Sequence, residues 1–246
     1  MQYRVIEETG STNTYLKQKV GEDAAWQAPL MLRAVRQTAG RGQRGNSWES
    51  APGRNLTFSI LWRSADVAPR EQFCISEAVA LGVVDWLAEK GIEGKVKWPN
   101  DIYVGDRKIC GILIEHTLSG EGIERSILGV GVNVNQEEFI SDAPNPVSLH
   151  QLSSRYYDLE EEEKRIGSAL ERRLLSIEDK EERVKMHEEF LGKLWRGDGK
   201  PYIFKDIKEG REFEGIIRDV EPEGMIVIEG EGEIKRYAFK EVAYKL

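Results

Sequence analysis

Cysteine and histidine are scarce in this chain: its 246 residues include two cysteines and three histidines. Two cysteines cannot build a disulfide framework or a cysteine-rich zinc site, and the histidines show no metal-ligand spacing. No apolar run approaches the roughly 18 residues that span a bilayer, and the N-terminal MQYRVIEE lacks the apolar core of a signal peptide. These absences predict a cytoplasmic protein with no membrane partner.

Positive charge is also in deficit, since 43 acidic side chains outnumber 35 basic ones and give a formal net charge of −8. Dedicated nucleic-acid binders present a basic face, so we expect no DNA partner. A locally positive pocket for a nucleotide substrate stays compatible with this balance. The length predicts one large domain with a small appendage.

Glycine and arginine are concentrated at residues 36–48, RQTAGRGQRGNSW. Glycines at 40, 42 and 45 let the backbone take positive φ values and approach a ligand closely. Arg41 and Arg44 add forked donors that suit carboxylate or phosphate. This composition favours a loop that closes over an anion, and a mobile linker is the alternative interpretation.

The spacing of these glycines matches the dinucleotide-binding fingerprint, but the context does not. That fingerprint requires a helix that opens at the last glycine. Here the following residues, NSWESAPG, are typical of turns, and residues 56–62 then alternate as a strand does. A kinase glycine loop is excluded because no His-Arg-Asp or Asp-Phe-Gly follows.

Hydrophobic periodicity predicts a mixed α+β chain. Helices are predicted at 12–20, where Gly21 would end the helix, and at 69–90. The highly charged segment 159–195 carries two successive apolar stripes, which predict two further helices. After the linker Gly197-Asp198-Gly199, residues 202–246 alternate like a small five-stranded barrel. We therefore divide the chain into domains at 1–198 and 199–246. Strands of the first domain are predicted at 2–7, 30–36, 56–62, 95–98, 101–104, 107–116 and 126–133.

Three further stretches carry residues suited to chemistry. Residues 97–101 (KWPND) end a strand in a turn, which turn preferences alone could also explain. In the strand at 107–116, period-two alternation puts Lys108 on the face of Cys110, opposite Gly111. A lysine on an apolar face is costly without an anionic partner, although it could also reach solvent at the strand end. In residues 129–135, GVGVNVN, paired glycines would let a flat ligand or another backbone lie close.

Together these pieces resemble one family. STN at 11–13, GRGQRG at 40–45, KWPND at 97–101, RK at 107–108, GILIE at 111–115 and GVGVN at 129–133 stand in the order seen in biotin protein ligases. The resemblance covers roughly residues 5–135. It implies a catalytic domain similar to class II aminoacyl-tRNA synthetases, with a mixed sheet and helices, followed by an SH3-like barrel.

Carried over residue by residue, the resemblance implies two overlapping sites. Lys108 and Arg41 would be catalytic, because they offset the charge of two reacting anions. Asp101, with Asn100 beside it, would orient or deprotonate an incoming lysine, or assist a metal. Nucleotide binding would involve Arg41, Arg44, Trp48, Lys108 and Asn133. Biotin binding would involve Ser11, Thr12, Asn13, Gln37, Gly40, Arg41, Gly42, Gln43, Lys108 and Gly111.

The implied reaction joins biotin to ATP as biotinyl-5′-AMP and then transfers biotin to a lysine of a biotin carboxyl carrier protein. Biotin and ATP would be substrates, and Mg²⁺ would arrive with ATP rather than in a site made by protein alone. The resemblance leaves a monomer and a homodimer both open. Two departures stand out. Gln43 occupies a position where bacterial members often have arginine, so how tightly the adenylate is retained is open. Bifunctional members carry a DNA-binding domain before the catalytic domain, and because the biotin motif here begins at Ser11 we expect a ligase and not a repressor.

Two other functions remain as alternatives. A lipoyl-protein ligase would share the fold and the adenylation chemistry, although the loop and the KWPND run favour biotin. A non-catalytic adaptor that binds carriers would need neither Lys108 nor Arg41. A DNA-binding regulator is disfavoured by the acidic charge.

Overall fold

The computed structural model describes residues 1–22, 25–64, 66–120, 122–141 and 145–245. The side chain of Arg44 lies outside this described part. None of the described helices combines the length and hydrophobicity needed to cross a lipid bilayer.

Seven strands form the larger sheet, in the order β1-β2-β3-β7-β6-β5-β4. The first two strands pair in parallel and every other neighbouring pair is antiparallel, which confirms the predicted mixed sheet. The strands are β1 Gln2–Thr9, β2 Leu30–Gln37, β3 Leu56–Trp62, β4 Lys95–Lys97, β5 Asp101–Val104, β6 Arg107–Ser119 and β7 Gly122–Val132.

Five α-helices accompany the strands, and four of them were predicted. The helix expected from residue 69 begins at Phe73, because Pro69–Glu71 form a separate 3₁₀ turn. The first helix continues one residue past Gly21. A short helix that follows the capping residue Ser148 was missed, since five residues show no usable periodicity. The helices are α1 Thr12–Glu22, α2 Phe73–Ala88, α3 Leu149–Ser153, α4 Leu159–Ser176 and α5 Lys180–Lys193.

The central strands are buried on both faces by different helices. Leu30 and Leu32 of β2 pack in one apolar cluster with Leu16 of α1. Met31, which lies between them, points to the other face and belongs to the main core, which also holds the buried residues of α2 and α4. Helix α1 covers only part of its face, so the rest of that face is open to a ligand.

A β-bulge overturns the predicted side-chain alternation around Lys108. Tyr103 pairs with Lys108 and Ile102 pairs with Cys110, so Ile109 is an extra residue on β6. The extra residue shifts the alternation by one position. Lys108 therefore lies on the face of Gly111: its Cε atom is 3.4 Å from where a Cβ on Gly111 would stand.

Five antiparallel strands form the C-terminal sheet, as the sequence predicted, in the order β11-β10-β9-β8-β12. Over the described residues the pairings leave β11 and β12 as edges and do not close a barrel. The strands are β8 Tyr202–Asp206, β9 Glu212–Val220, β10 Ile226–Gly230, β11 Glu233–Tyr237 and β12 Val242–Tyr244.

The C-terminal sheet is fastened to the larger sheet by specific contacts. The indole N–H of Trp98 donates to the carbonyl oxygen of Gly224 at 3.0 Å. Gly224 has a φ of +90° and no room for a Cβ, which would lie 2.7 Å from the ring of Phe73. The tryptophan of KWPND thus anchors the second sheet beside the first.

Candidate functional site

The open part of the sheet face is lined by small residues in cross-strand rows. Strand register places Thr57, Gly131 and Gly111 side by side on β3, β7 and β6. Ser59 and Gly129 begin the neighbouring row on the same face. Because these rows carry almost no side-chain bulk, larger groups can lie flat against the backbone.

A cavity of about 490 Å³ lies over these rows. Its volume is in the range of pockets that hold drug-sized ligands. The contributing residues come from α1, the glycine loop, the central strands, the KWPND turn and the C-terminal sheet. Predicted site residues that line it are Ser11, Thr12, Asn13, Gln37, Arg41, Gly42, Gln43, Trp48, Asn100, Asp101, Lys108 and Gly111.

The indole ring of Trp48 rests on the glycine row. A Cβ added to Gly131 would stand 2.4 Å from the ring, and one on Gly111 would stand 2.9 Å from it. The indole Nε1 of Trp48 is buried and has no hydrogen-bond partner within the described ranges. Buried donors normally have partners, so this N–H is available to a ligand acceptor.

One end of the cavity is a dense hydrogen-bonded cluster of uncharged side chains. The Oε1 atom of Gln37 accepts from the backbone N–H and the hydroxyl of Thr12, at 2.9 and 3.2 Å. The hydroxyl of the buried Ser59 lies 2.7 Å from that of Thr12 and 2.6 Å from Oδ1 of Asn13. Such a cluster suits a small polar ring.

The other end of the cavity concentrates positive charge. The ammonium of Lys108 contacts the carboxylate of Asp101 at 2.6 Å and lies 5.6 Å from the centre of the Trp48 ring. Arg41, Lys97 and Lys240 also line the cavity. Among the described lining residues these four cations face one carboxylate, that of Asp101, so the site favours an anionic ligand although the whole chain is acidic.

Lys97 is held among aromatic rings at this cationic end. Its ammonium donates to the hydroxyl of Tyr103 at 2.9 Å and lies 5.5 Å from the centre of the Tyr244 ring. Burial lowers the pKa of Lys97, and the nearby positive charge of Lys108 lowers it further, while Asp101 opposes both effects.

The glycine loop is folded back on itself over the cavity. The backbone N–H of Gly42 donates to the carbonyl of Asn46 at 2.7 Å, and that of Trp48 donates to the carbonyl of Gly40 at 2.9 Å. The guanidinium of Arg41 reaches across to β6 and contacts the carboxylate of Glu115 at 3.0 Å. Loop and sheet are thus joined by an ion pair that is open to solvent on one side.

Two predicted site residues do not line the cavity. Gly40 is half-buried at the start of the loop, where a Cβ would stand 2.6 Å from the Trp48 carbonyl oxygen. Asn133 lies behind Lys108, where its amide donates to the carbonyl of Val147 at 3.1 Å and its Oδ1 has no partner in the described structure. The predicted contact of Arg44 lies outside the described residues.

Sequence reasoning did not assign several residues that meet at the site. Ser59 is a single hydroxyl in an apolar strand, which gives no local signal. Glu115 belongs to the strand motif GILIE at 111–115, but the sequence predicts no role for its side chain. The C-terminal sheet and its loops contribute Ile207, Phe239, Lys240, Val242, Ala243 and Tyr244.

Comparisons with known proteins agree with this geometry. A family model described as the biotin/lipoate A/B protein ligase family matches residues 5–133. The chain is 28% identical to the bifunctional ligase/repressor BirA of Escherichia coli, over 96% of this chain and 71% of that protein. It is 27% identical to the biotin--[acetyl-CoA-carboxylase] ligase of Mycobacterium tuberculosis, over 93% and 83%.

The fold has a counterpart among solved structures. The biotin protein ligase of Aquifex aeolicus, solved in complex with biotin and ATP, superimposes with a TM-score of 0.79 at 24% identity. The match covers 99% of this chain and 98% of that one, so it includes the C-terminal sheet as well as the larger sheet.

Proposed function

The chain belongs to the biotin/lipoate A/B protein ligase family, and we infer that within it the chain is an ATP-dependent biotin protein ligase. The enzyme forms biotinyl-5′-AMP from biotin and ATP and transfers biotin to a lysine of a biotin carboxyl carrier protein. The observation that carries this proposal is one cavity with an uncharged polar end, a tryptophan on a glycine row and a cationic end. These features match a ureido ring, an acyl adenylate and the reacting anions.

The uncharged end is the proposed biotin-ring site. Ser11, Thr12, Asn13 and Gln37 line it together at the start of α1. Their hydroxyl and amide groups can satisfy the donors and the acceptor of a ureido ring, which an apolar pocket could not do. Gly111 and Gly42 let the backbone lie close to the acyl chain, and Gln43 lines the cavity beside them. Gly40 would contribute indirectly, by letting the loop pack closely against Trp48.

The first chemical step joins a carboxylate to a phosphate. The biotin carboxylate attacks the α-phosphorus of ATP, and pyrophosphate leaves. Lys108 and Arg41 supply fixed positive charge at the reacting anions, which is worth more in a partly desolvated site than in water. Lys97 and Lys240, which also line the cavity, extend this charge toward the leaving phosphates.

The nucleotide part of the adenylate is assigned to the Trp48 side of the cavity. Its ring offers a stacking surface, and its unpaired indole N–H offers a donor. Arg44 and Asn133 complete the proposed nucleotide contacts. Asn133 would act from behind Lys108, by supporting the end of β7 where its backbone N–H donates to the Ile109 carbonyl.

In the second step a neutral lysine amine of the carrier attacks the acyl carbon of biotinyl-5′-AMP, an amide bond forms, and AMP leaves with the electrons of the broken acyl–phosphate bond. Asp101, next to Asn100 in the KWPND turn, is the carboxylate at the cavity and can accept a proton or orient the amine. It starts the cycle paired with Lys108. Binding of an anion beside Lys108 weakens that pair and frees Asp101 for the amine.

Magnesium enters this proposal together with ATP. No cluster of three or more metal-ligating side chains occurs within the described ranges. One carboxylate, Asp101, lines the cavity and fits a single protein contact to a metal held mainly by phosphates. The ion would offset the negative charge of the triphosphate.

The proposal also covers the fold of each part of the chain, its protein partner and its compartment. We assign a class II aminoacyl-tRNA-synthetase-like fold to the larger sheet and an SH3-like fold to residues 199–246, which finish the cavity wall. A carrier domain is the protein partner, and the cytoplasm is the compartment. Gln43 brings no charge to the loop, so we expect the adenylate to be held less tightly than an arginine would hold it.

Biotin-dependent ATP–pyrophosphate exchange on the purified protein tests this proposal, with lipoate as a parallel substrate. Exchange with biotin alone supports a biotin ligase. Exchange with lipoate alone would transfer the function to the lipoyl branch of the family. Lack of exchange with either acid, from folded protein with Mg²⁺ present, would overturn adenylation altogether.

A further inference from the structure

Glu115 of β6 holds two parts of the site with a single oxygen atom. Its Oε2 accepts from Nδ2 of Asn13 at 2.8 Å and from the guanidinium of Arg41 at 3.0 Å. Asn13 belongs to the uncharged end of the cavity, and Arg41 belongs to the glycine loop. The carboxylate therefore connects the floor of the site to the loop above it.

The surroundings of Asn13 fix which way its amide group points. Its Nδ2 also donates to the carbonyl oxygen of Leu113 at 3.1 Å, so both amide hydrogens are used by groups that can only accept. Its Oδ1 faces the hydroxyl of Ser59 at 2.6 Å and lies flat on Gly129, where a Cβ would stand 2.4 Å away. An amide carbonyl oxygen has two lone-pair directions, and Ser59 occupies one of them, so one remains on Oδ1.

This orientation determines what Asn13 can offer a ligand. With both hydrogens committed, the amide can accept a hydrogen bond but cannot donate one. A ligand ring that presents an N–H is therefore matched, and a ring without one covers the second lone pair of Oδ1 without pairing it. Sites built to pair with a polar group discriminate strongly against analogues that lack it.

We propose that Glu115 is a positioning residue that sets acid specificity and loop closure together. It orients Asn13 as an acceptor for a ring N–H, and it draws the glycine loop down through Arg41. Occupation of the ring site and closure of the loop are then linked, because both depend on one carboxylate. The specificity half of this inference rests on the proposed biotin ligase function, whereas the loop half does not.

Glu115→Ala tests both halves, and Glu8→Ala is the matched control. Glu8 forms a comparable pair with Arg36, at 2.9 Å, between neighbouring strands, and this pair includes neither Asn13 nor the glycine loop. Trypsin cleavage after Arg41 is measured without ligand and with biotin. Loss of the Arg41 contact should speed cleavage of the ligand-free Glu115→Ala protein about tenfold relative to wild type and Glu8→Ala.

ATP–pyrophosphate exchange with biotin or with lipoate measures the acid specificity of each variant. We expect the KM for biotin to rise roughly tenfold or more in Glu115→Ala, while the KM for ATP and any lipoate activity change less. Glu115→Gln keeps an acceptor oxygen and should recover part of the biotin KM. A uniform loss with both acids and both KM values would overturn the specificity role and indicate a merely structural one.

The two possible failures are distinguishable. If the wild-type protein shows no biotin-dependent exchange, the proposed function fails, and trypsin cleavage of the ligand-free proteins still tests the loop contact. If wild-type exchange is normal but Glu115→Ala matches Glu8→Ala in cleavage rate and biotin KM, the role of Glu115 is wrong and the proposed function stands.

Discussion

The ammonium of Lys108 lies 2.6 Å from the carboxylate of Asp101, with both side chains about three-quarters buried. The bulge at Ile109 creates this pair, because it turns Lys108 toward the cavity instead of the apolar core. A partly buried ion pair that loses one partner leaves an uncompensated charge, which is costly. A substrate anion that takes the place of Asp101 keeps Lys108 paired throughout.

Lys108→Ala should reduce biotin-dependent ATP–pyrophosphate exchange by about 10²- to 10³-fold, the usual cost of removing one preorganised charged donor. The fold should survive, because the side chain is at the cavity wall rather than in the core. Exchange rate and thermal unfolding are measured on the same preparation. Near-normal exchange in a folded Lys108→Ala protein would contradict a catalytic role for this lysine.

Gly131→Ala should disturb the nucleotide side of the cavity. The new methyl group would stand 2.4 Å from the Trp48 ring, so the ring must leave the sheet. Overpacking of this kind costs about 1–3 kcal/mol, which corresponds to a roughly 10- to 100-fold higher KM for ATP if the cost falls on binding. The measurement is the KM for ATP in the exchange assay, with Trp fluorescence as a monitor of the ring.

Gly192→Ala is the control for this glycine substitution. Gly192 lies within α5, and a Cβ there would meet no atom within 4 Å. Alanine in a helix interior is favoured over glycine by about 0.5–1 kcal/mol, so this variant should be slightly more stable and fully active.

An unchanged KM for ATP in Gly131→Ala would argue against a functional position for Trp48.

Sequence predicted the elements of the site better than its assembly. The strands, the glycine loop and the KWPND turn were accessible because periodicity and turn chemistry are local properties. The face of Lys108 was predicted wrongly, because one inserted residue on β6 reverses the alternation and leaves no local sign. The role of Ser59 in the site was also not predicted, because a single serine among apolar residues of a strand is typical of a core position.

The contribution of the C-terminal sheet could not be derived from sequence either. Phe239 and Tyr244 reach the cavity because the C-terminal sheet docks against distant parts of the chain, for example where Trp98 donates to the carbonyl of Gly224. That approach depends on tertiary docking between two sheets, which no short motif encodes. Closure of the predicted barrel is likewise a long-range property. Over the described residues the five strands form an open sheet, in which the edge strands β11 and β12 do not pair with each other.

Trp98→Phe should weaken the docking of the C-terminal sheet and show how much that docking contributes to stability and to ATP binding. The substitution removes the N–H that satisfies the Gly224 carbonyl, and leaves that acceptor unpaired at a cost of about 1–3 kcal/mol. We expect a lower unfolding temperature and a higher KM for ATP, because cavity-lining residues of the C-terminal sheet lose their support. Both quantities are measured against the wild-type protein.

Trp62→Phe is a closely matched control for Trp98→Phe. Trp62 is 4% exposed and Trp98 is 3% exposed, so both substitutions leave a similar gap. The indole N–H of Trp62 has no hydrogen-bond partner among the described residues, so its removal breaks no bond. If the two variants lose equal stability, the Trp98 hydrogen bond contributes nothing to docking.

His187 of α5 provides a further, pH-sensitive link, which joins α2 to the C-terminal sheet. Its Nδ1 lies 2.7 Å from the carboxylate of Glu77 on α2, and its Nε2 lies 3.1 Å from that of Asp219 on β9. Both ring nitrogens can donate only when the imidazole is protonated. The hydrogen bond to Glu77 raises the pKa of His187, against the opposing effect of burial. Burial raises the pKa of Glu77 as well.

These directions fix the sign of the pH dependence. A histidine whose pKa is raised on folding contributes stability in full below its unfolded pKa of about 6.5, and this contribution is lost as pH rises through the folded value. The raised pKa of Glu77 acts in the same sense at lower pH. The unfolding temperature of the wild-type protein should therefore fall as pH rises from about 6 to 9.

His187→Gln separates this link from the other titrating groups. Glutamine can donate to one carboxylate but carries no charge, so the variant should be less stable than wild type at about pH 6 and nearly equal to it at about pH 9. Thermal unfolding of both proteins across this range gives the difference directly. A gap between the two proteins that stays constant with pH would mean that His187 does not bridge the carboxylates as an imidazolium, and the link would then be one of packing alone.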